Sequence, residues 1–373
     1  MTRWPLLALA GLSLAAGVWA GLARLGWPPG PLPLNWAPLH GPLMISGFLG
    51  ILVSLERAIA LLPHTRWPWA FAAPALAAVG SAALLFGLPP AVGRGLMALG
   101  SLMLLAVFVF INRRQPSWAH AVMGLGALAW LIGNALWWRQ RPIFEAVAWW
   151  MAFLVFTIAG ERLELARVWV RGRAALPGFV AAAAVILAGL ILAAAFTSWA
   201  AGGPAWAPAG RQAAIRLTGL GWLGLAVWLL RFDIARRTLR QTGLPRFIAV
   251  CLLAGYAWLA VSGSLWLLRP DRLTAGPWYD AMLHTVFVGF VLSMIFAHAP
   301  LILPAVIGRP LPNRPAFYAH LALLHAGLLL RVAGDLGAVP WLRQWGGLVN
   351  GLALLVFIAS SALAVMGPPR SKA

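Results

Sequence analysis

Apolar runs long enough to cross a bilayer recur twelve times along this chain, and that recurrence leaves room for little else. They fall near residues 5–25, 36–62, 67–88, 91–111, 117–138 and 142–161, then 176–198, 211–231, 246–268, 280–303, 315–334 and 344–366. About 20 residues carry a helix across the hydrocarbon core. Backbone polar groups in lipid must be satisfied within the segment, which makes helices the form such runs take. Clusters of Pro, Gly and Arg separate the runs, as at Trp27-Pro28-Pro29-Gly30-Pro31 and Gly308-Arg309-Pro310-Leu311-Pro312. The connections are mostly short, so consecutive helices are expected to be antiparallel neighbours. Residues 1–373 then form a single all-α transmembrane domain of about 12 helices, with no room for a soluble one.

Composition supports lipid as the solvent. Only 10% of residues are charged and 62% are hydrophobic, against roughly 25% and about half in a soluble globule. The 22 Trp suit the two membrane interfaces, and Trp36, Trp67, Trp118, Trp137, Trp138, Trp199, Trp278 and Trp341 sit near expected helix ends. The net charge of +20 is scattered through short loops, a distribution that fits anionic membrane lipid and not nucleic acid. The single cysteine, Cys251, rules out an internal disulfide, a paired-thiolate metal site and a CxxCH haem attachment. The apolar start after Arg3 has the look of a signal peptide, but its run from Pro5 to Ala23 is long enough to span, and a retained first helix is expected. With both termini on one side, that side holds 18 of the 28 Lys and Arg residues and the other side 10. The positive-inside rule places both termini in the cytoplasm of a bacterial inner-membrane protein.

Seven histidines occur, and ligand-bearing side chains inside a bilayer are functional candidates. His40 lies about one turn inside helix 2 and His284 about one turn inside helix 10. Both helices run from outside to inside, so the two imidazoles share a depth near the outer face. Axial ligation of a membrane haem requires such a pair. His298 lies 14 residues beyond His284, ~21 Å further down the helix. His320 and His325 fall in the first half of helix 11, His120 starts helix 5, and His64 lies in the second loop. For these five, an interfacial hydrogen-bonded histidine is the ordinary reading.

Helices 2, 6 and 10 share a layout. Helix 2 reads Leu39-His40, Met44, Gly47-Phe48 and ends Leu55-Glu56-Arg57. Helix 6 ends Gly160-Glu161-Arg162-Leu163-Glu164. Helix 10 reads Leu283-His284, Gly289-Phe290, Met294 and ends Ala297-His298-Ala299-Pro300. Three four-helix units, each with its second helix facing inward, would account for twelve. Glu56, Glu161 and Glu164 sit beside Arg57 or Arg162, as ion pairs anchoring helix ends or as proton-entry groups. Together with His298, His320 and His325 they form the candidate proton or ion path. Arg139, Arg141, Arg269 and Arg272 on the outer side are available to pair with haem propionates. Tyr279 and Tyr318 read as interfacial anchors.

Two stretches, His40-Gly41-Pro42-Leu43-Met44-Ile45-Ser46-Gly47-Phe48 and Leu283-His284-Thr285-Val286-Phe287-Val288-Gly289, resemble the NnrS family of haem-containing membrane proteins of nitric-oxide metabolism. More distantly the chain is similar to the twelve-helix catalytic subunit of haem–copper oxidases. Gly308-Arg309-Pro310-Leu311 and Leu330-Arg331-Val332-Ala333 add to the first likeness. Motif-level similarity covers about a fifth of the chain. The family's second His and Glu before the Met are replaced by Pro42 and Leu43, and its Gly-His-Thr-Gly-Arg stretch is reduced to Val306-Ile307-Gly308-Arg309, which marks a divergent relative. The resemblance implies an oxidase-like bundle with pseudo-threefold four-helix units, haem b held by His40 and His284, copper as a further cofactor, and a redox partner such as a quinol or cytochrome. No histidine lies between His120 and His284, so the three-histidine copper site of an oxygen-reducing oxidase has no ligands here. The competing expectation is a haem-free proton-coupled transporter or channel, with Pro42, Pro74, Pro300 and Pro304 as helix-break points; a third is a scaffold protein. The residues leave open whether the chain is an enzyme.

Overall fold

The computed structural model describes residues 3–28, 30, 34–64, 68–166, 175–199, 204–309, 311 and 315–366. Arg66, Trp67, Arg167, Arg171, Arg173, Arg314, Arg370 and Lys372, which enter the charge count or the aromatic belt, lie outside them. Helices account for nearly all the described chain, and no strand occurs among the described residues. In order they are α1 (Trp4–Arg24), α2 (Trp36–His64), α3 (Trp69–Leu85), α4 (Pro90–Arg114), α5 (Trp118–Trp138) and α6 (Ile143–Ala166). There follow α7 (Ala175–Trp199), α8 (Ala207–Phe232), α9 (Leu244–Leu268), α10 (Pro277–Pro304), α11 (Phe317–Leu336) and α12 (Pro340–Met366). Among the described residues, eleven are long and apolar enough to span a membrane, and α3 is a shorter apolar helix. The protein is an all-α polytopic membrane protein.

The helix ends follow local chemistry. Pro sits in the first turn of α1, α4, α8, α9 and α10, where its missing N–H is no loss. The Ser117 hydroxyl accepts from the His120 N–H at 3.0 Å and caps α5. After α3 the chain turns through Gly87 at φ +77°, and the Leu88 N–H donates to the Ala83 carbonyl at 2.9 Å, a closure that needs a residue tolerant of positive φ.

The chain divides into two compact units. One comprises Met1–Gly160 with Pro304–Gly308, the other Glu161–Leu303 with Arg309–Ala373. Within each, neighbouring helices approach through small residues, the usual device of membrane bundles. In the first unit a Cβ on Gly126 would lie 2.9 Å from the Phe153 carbonyl oxygen; in the second, one on Gly219 would lie 2.8 Å from that of Gly263.

Burial ranks the spans. The most apolar windows of α2, α6 and α10 are 61%, 72% and 67% buried, whereas those of the other eight spans lie between 33% and 56%. The three most buried spans are four apart in the chain.

Candidate functional site

In α2 and α10 the helix changes register within three residues of a histidine. In α2 a short α segment, His40–Pro42, passes into a π-helix, Leu43–Leu49, before α geometry returns at Gly50. In α10 the α segment Pro277–His284 ends on the histidine itself, and the π-helix runs Thr285–Leu292. Such segments displace carbonyls from the ordinary ladder and concentrate at functional sites. In α10 nearby hydroxyls meet those carbonyls. Thr285 Oγ1 donates to Ala281 at 2.8 Å, Ser262 Oγ to Met282 at 3.1 Å and Ser293 Oγ to Gly289 at 2.6 Å.

His40 belongs to the first unit, where it packs against α1. Its Nδ1 lies 2.7 Å from the Gly17 carbonyl oxygen. A carbonyl only accepts, so Nδ1 carries the hydrogen and the neutral ring keeps its lone pair on Nε2. The ring reaches that carbonyl because position 21 has no side chain: a Cβ there would lie 2.8 Å from both Cε1 and Nδ1 of His40. One turn away, a Cβ on Gly17 would lie 2.8 Å from Met44 Sδ. Beneath this contact Ser46 joins a buried network. Trp130 Nε1 donates to Ser46 Oγ at 3.0 Å, and Ser46 Oγ and Trp150 Nε1 donate to Asn134 Oδ1 at 2.9 and 3.0 Å. Asn134 Nδ2 donates to the Met97 carbonyl at 3.2 Å. The network ties the π segment to α4, α5 and α6.

His284 belongs to the second unit. Its Nδ1 donates to the Asp280 carbonyl at 2.8 Å and lies 3.4 Å from Asp280 Oδ1, so in the neutral ring Nε2 again holds the lone pair. The Asp280 carboxylate receives both arms of the Arg331 guanidinium from α11, at 2.7 and 2.9 Å. Arg343 of α12 lies 3.8 Å from Asp280 and 3.0 Å from Asp335. Two carboxylates and two guanidiniums thus close one charge network behind the histidine. Sequence reasoning missed Arg331, Asp335 and Arg343 as members of it. The available signs were the four-residue spacings Asp280–His284 and Arg331–Asp335, which put each pair on one helix face.

The remaining candidates sit apart from these two histidines in local construction. His298 shares their tautomer, with Nδ1 2.7 Å from the Met294 carbonyl, but lies beyond the π segment. In His325 the nitrogens are reversed: Trp258 Nε1–H donates to its Nδ1 at 3.1 Å, which leaves the hydrogen on Nε2. His320 is enclosed by the rings of Phe247, Phe296, Phe317 and Phe357. Glu56 pairs with Arg57 at 3.4 Å. Arg162, read from the sequence as the neighbour of Glu161 and Glu164, binds Asp233 through two bonds of 2.7 and 3.0 Å. Of the arginines reserved for propionates, Arg141 holds Glu145 at 2.9 Å, while Arg269 and Arg272 each lie 3.0 Å from Asp271. Among the described residues no group of three or more His, Cys, Asp or Glu side chains is placed to hold a metal ion.

Residues 3–366 match a family described as a domain of unknown function, DUF8744. The chain belongs to the DUF8744 family. No curated protein matches it. The family match covers all twelve helices, both histidines that precede a π segment, and the Asp280–Arg331 network, so the DUF8744 domain is the whole membrane bundle.

Chemically, each of the two histidine rings is held through Nδ1 by a backbone carbonyl, the second-atom support common to metal-bound imidazoles. His284 also has the Asp280 carboxylate beside the same Nδ1, at 3.4 Å. Within its own unit, each imidazole therefore has the support that a haem-ligating histidine would need.

Proposed function

We propose that this DUF8744 protein is a haem-b-binding integral membrane protein in which His40 and His284 ligate iron. The observation that carries the reading is their shared construction: each stands within three residues of the start of a π segment, in one of the most buried spans, with Nδ1 hydrogen-bonded to a carbonyl. Bound haem would supply one-electron chemistry, or an open iron position where only one histidine binds. The chain's own residues orient the imidazoles through the Gly17 and Asp280 carbonyls and balance charge behind His284 through Arg331. The role we assign, in nitric-oxide stress response or respiratory electron transfer with a quinol or cytochrome partner, rests on the NnrS resemblance; copper rests on it alone. The proposed location is the bacterial inner membrane, with both termini cytoplasmic.

The test is the visible spectrum of the purified protein, oxidised and dithionite-reduced, with a pyridine haemochrome assay. Stoichiometric haem b, lost in His40→Ala and His284→Ala but kept in His298→Ala, is the expected result. A colourless protein after haem-supplemented expression would sink the reading. One observation favours a haem-free proton-coupled transporter instead: α2 and α10 are interrupted helices, the form transporters use at substrate sites. Of the break points expected from proline, only Pro42 adjoins an interruption; Pro300 lies inside continuous helix. Uptake by the colourless protein in vesicles would support that alternative.

A further inference from the structure

The segment joining α8 to α9 carries five arginines in sixteen residues: Arg231, Arg236, Arg237, Arg240 and Arg246. All five are exposed. Between Glu164 and Asp271 the chain contains a single acidic residue, Asp233, and it lies in this segment. Its carboxylate is turned inward: Asp233 is only 5% exposed. Both its oxygens are engaged by Arg162, at 2.7 and 3.0 Å, and Oδ1 also accepts from the Ala235 N–H at 2.7 Å. The fold therefore turns the segment's one carboxylate inward and leaves its five arginines exposed.

The segment is also pinned at a fixed height. It connects two helices that qualify as membrane spans, Ala207–Phe232 and Leu244–Leu268, so its arginines stand at the edge of the apolar slab. Leu239, 39% exposed, lies between Arg237 and Arg240 in the chain. A basic surface with an apolar tip at that level meets two things at once, phosphodiester oxygens and the upper acyl chains. The α9–α10 connection shows the contrast. There Arg269 and Arg272 each lie 3.0 Å from the exposed Asp271, and the Arg269 hydrogen bond holds the Asp271 carboxyl below the usual carboxylate range. There one exposed carboxylate is shared by both arginines and offsets half of their charge.

We infer that the 231–246 surface is a binding site for anionic phospholipid, its arginines clasping headgroup phosphates with Leu239 inserted beneath them. Guanidinium groups match phosphate geometry bidentately, and the site is independent of any haem. It is tested by native mass spectrometry of the full chain in neutral detergent, with added phosphatidylglycerol, phosphatidylcholine or inorganic phosphate. The wild type should retain phosphatidylglycerol over phosphatidylcholine. Arg236→Gln/Arg237→Gln/Arg240→Gln should weaken retention by roughly tenfold or more, while Arg269→Gln/Arg272→Gln should change it by less than about twofold. The corresponding triple Arg→Lys variant keeps the charge and should keep most of the binding, which separates lost charge from lost fold. Equal retention of the two lipids, equal loss in the two Gln variants, or competition by inorganic phosphate as effective as by lipid would each overturn the inference.

Discussion

A methyl group at position 21 would sit 2.8 Å from the His40 ring, while one at Gly11 of the same helix would meet nothing within 4 Å. Both substitutions carry the same gain in helix propensity, so the difference between them isolates the histidine contact. Gly21→Ala should lower stability by ~1–3 kcal/mol through overpacking, and Gly11→Ala should leave it unchanged or slightly raised. Thermal unfolding in detergent checks the pair; equal midpoints would refute the packing described for His40. The ion pair of Arg162 with Asp233 makes a second residue-scale case. The two side chains are 4% and 1% exposed, so Arg162→Ala strands a buried carboxylate and should cost ~3–5 kcal/mol. The double variant Arg162→Ala/Asp233→Ala should recover much of that loss, and a double-mutant cycle measures how much. The sequence offered Glu161 and Glu164 as partners for Arg162 because they are its neighbours. Asp233, 71 residues away, is the partner because the fold brings it there.

At the scale of elements, the helices were legible and their internal geometry was not. Runs such as 211–231 and 344–366 were recognised from apolar length, and the observed helices extend them to Ala207 and Pro340, because an N-terminal turn can be polar or begin with proline. The π segments carry no comparable mark. Leu43–Leu49 and Thr285–Leu292 are ordinary apolar sequence, and their register depends on partners on other helices. In α2 one such partner is Asn134 of α5, whose Oδ1 accepts from both Ser46 and Trp150. Asn134→Ala removes that acceptor from two buried donors. Each orphaned donor costs ~1–3 kcal/mol, so the loss should clearly exceed that of Gln115→Ala at an exposed site. A variant as stable as wild type in chemical denaturation would mean the network does not hold the π segment.

For the whole molecule, the basic-residue count implies an orientation that labelling can read. Gln115 and Gln140 are exposed at opposite ends of α5, and the sole cysteine, Cys251, is buried, which keeps the background low. In intact cells an impermeant maleimide should modify Gln140→Cys and spare Gln115→Cys if both termini are cytoplasmic. The reverse pattern would invert the topology while leaving the number of spans untouched.

Hydrophobic length, charge scarcity and proline placement are local quantities, and they alone determined that the chain is a bundle of about twelve helices in lipid. The same local view picked out His40 and His284, since an imidazole in an apolar run is conspicuous wherever it lies. The tertiary structure decided which nitrogen of each histidine meets a hydrogen-bond partner, because that depends on which backbone carbonyl or indole N–H reaches the ring. It also decided that Asp280 faces Arg331 across helices and that Asp233 turns inward. Those pairings join residues far apart in the chain, and a sequence records the charges without recording which of them the packing brings into contact.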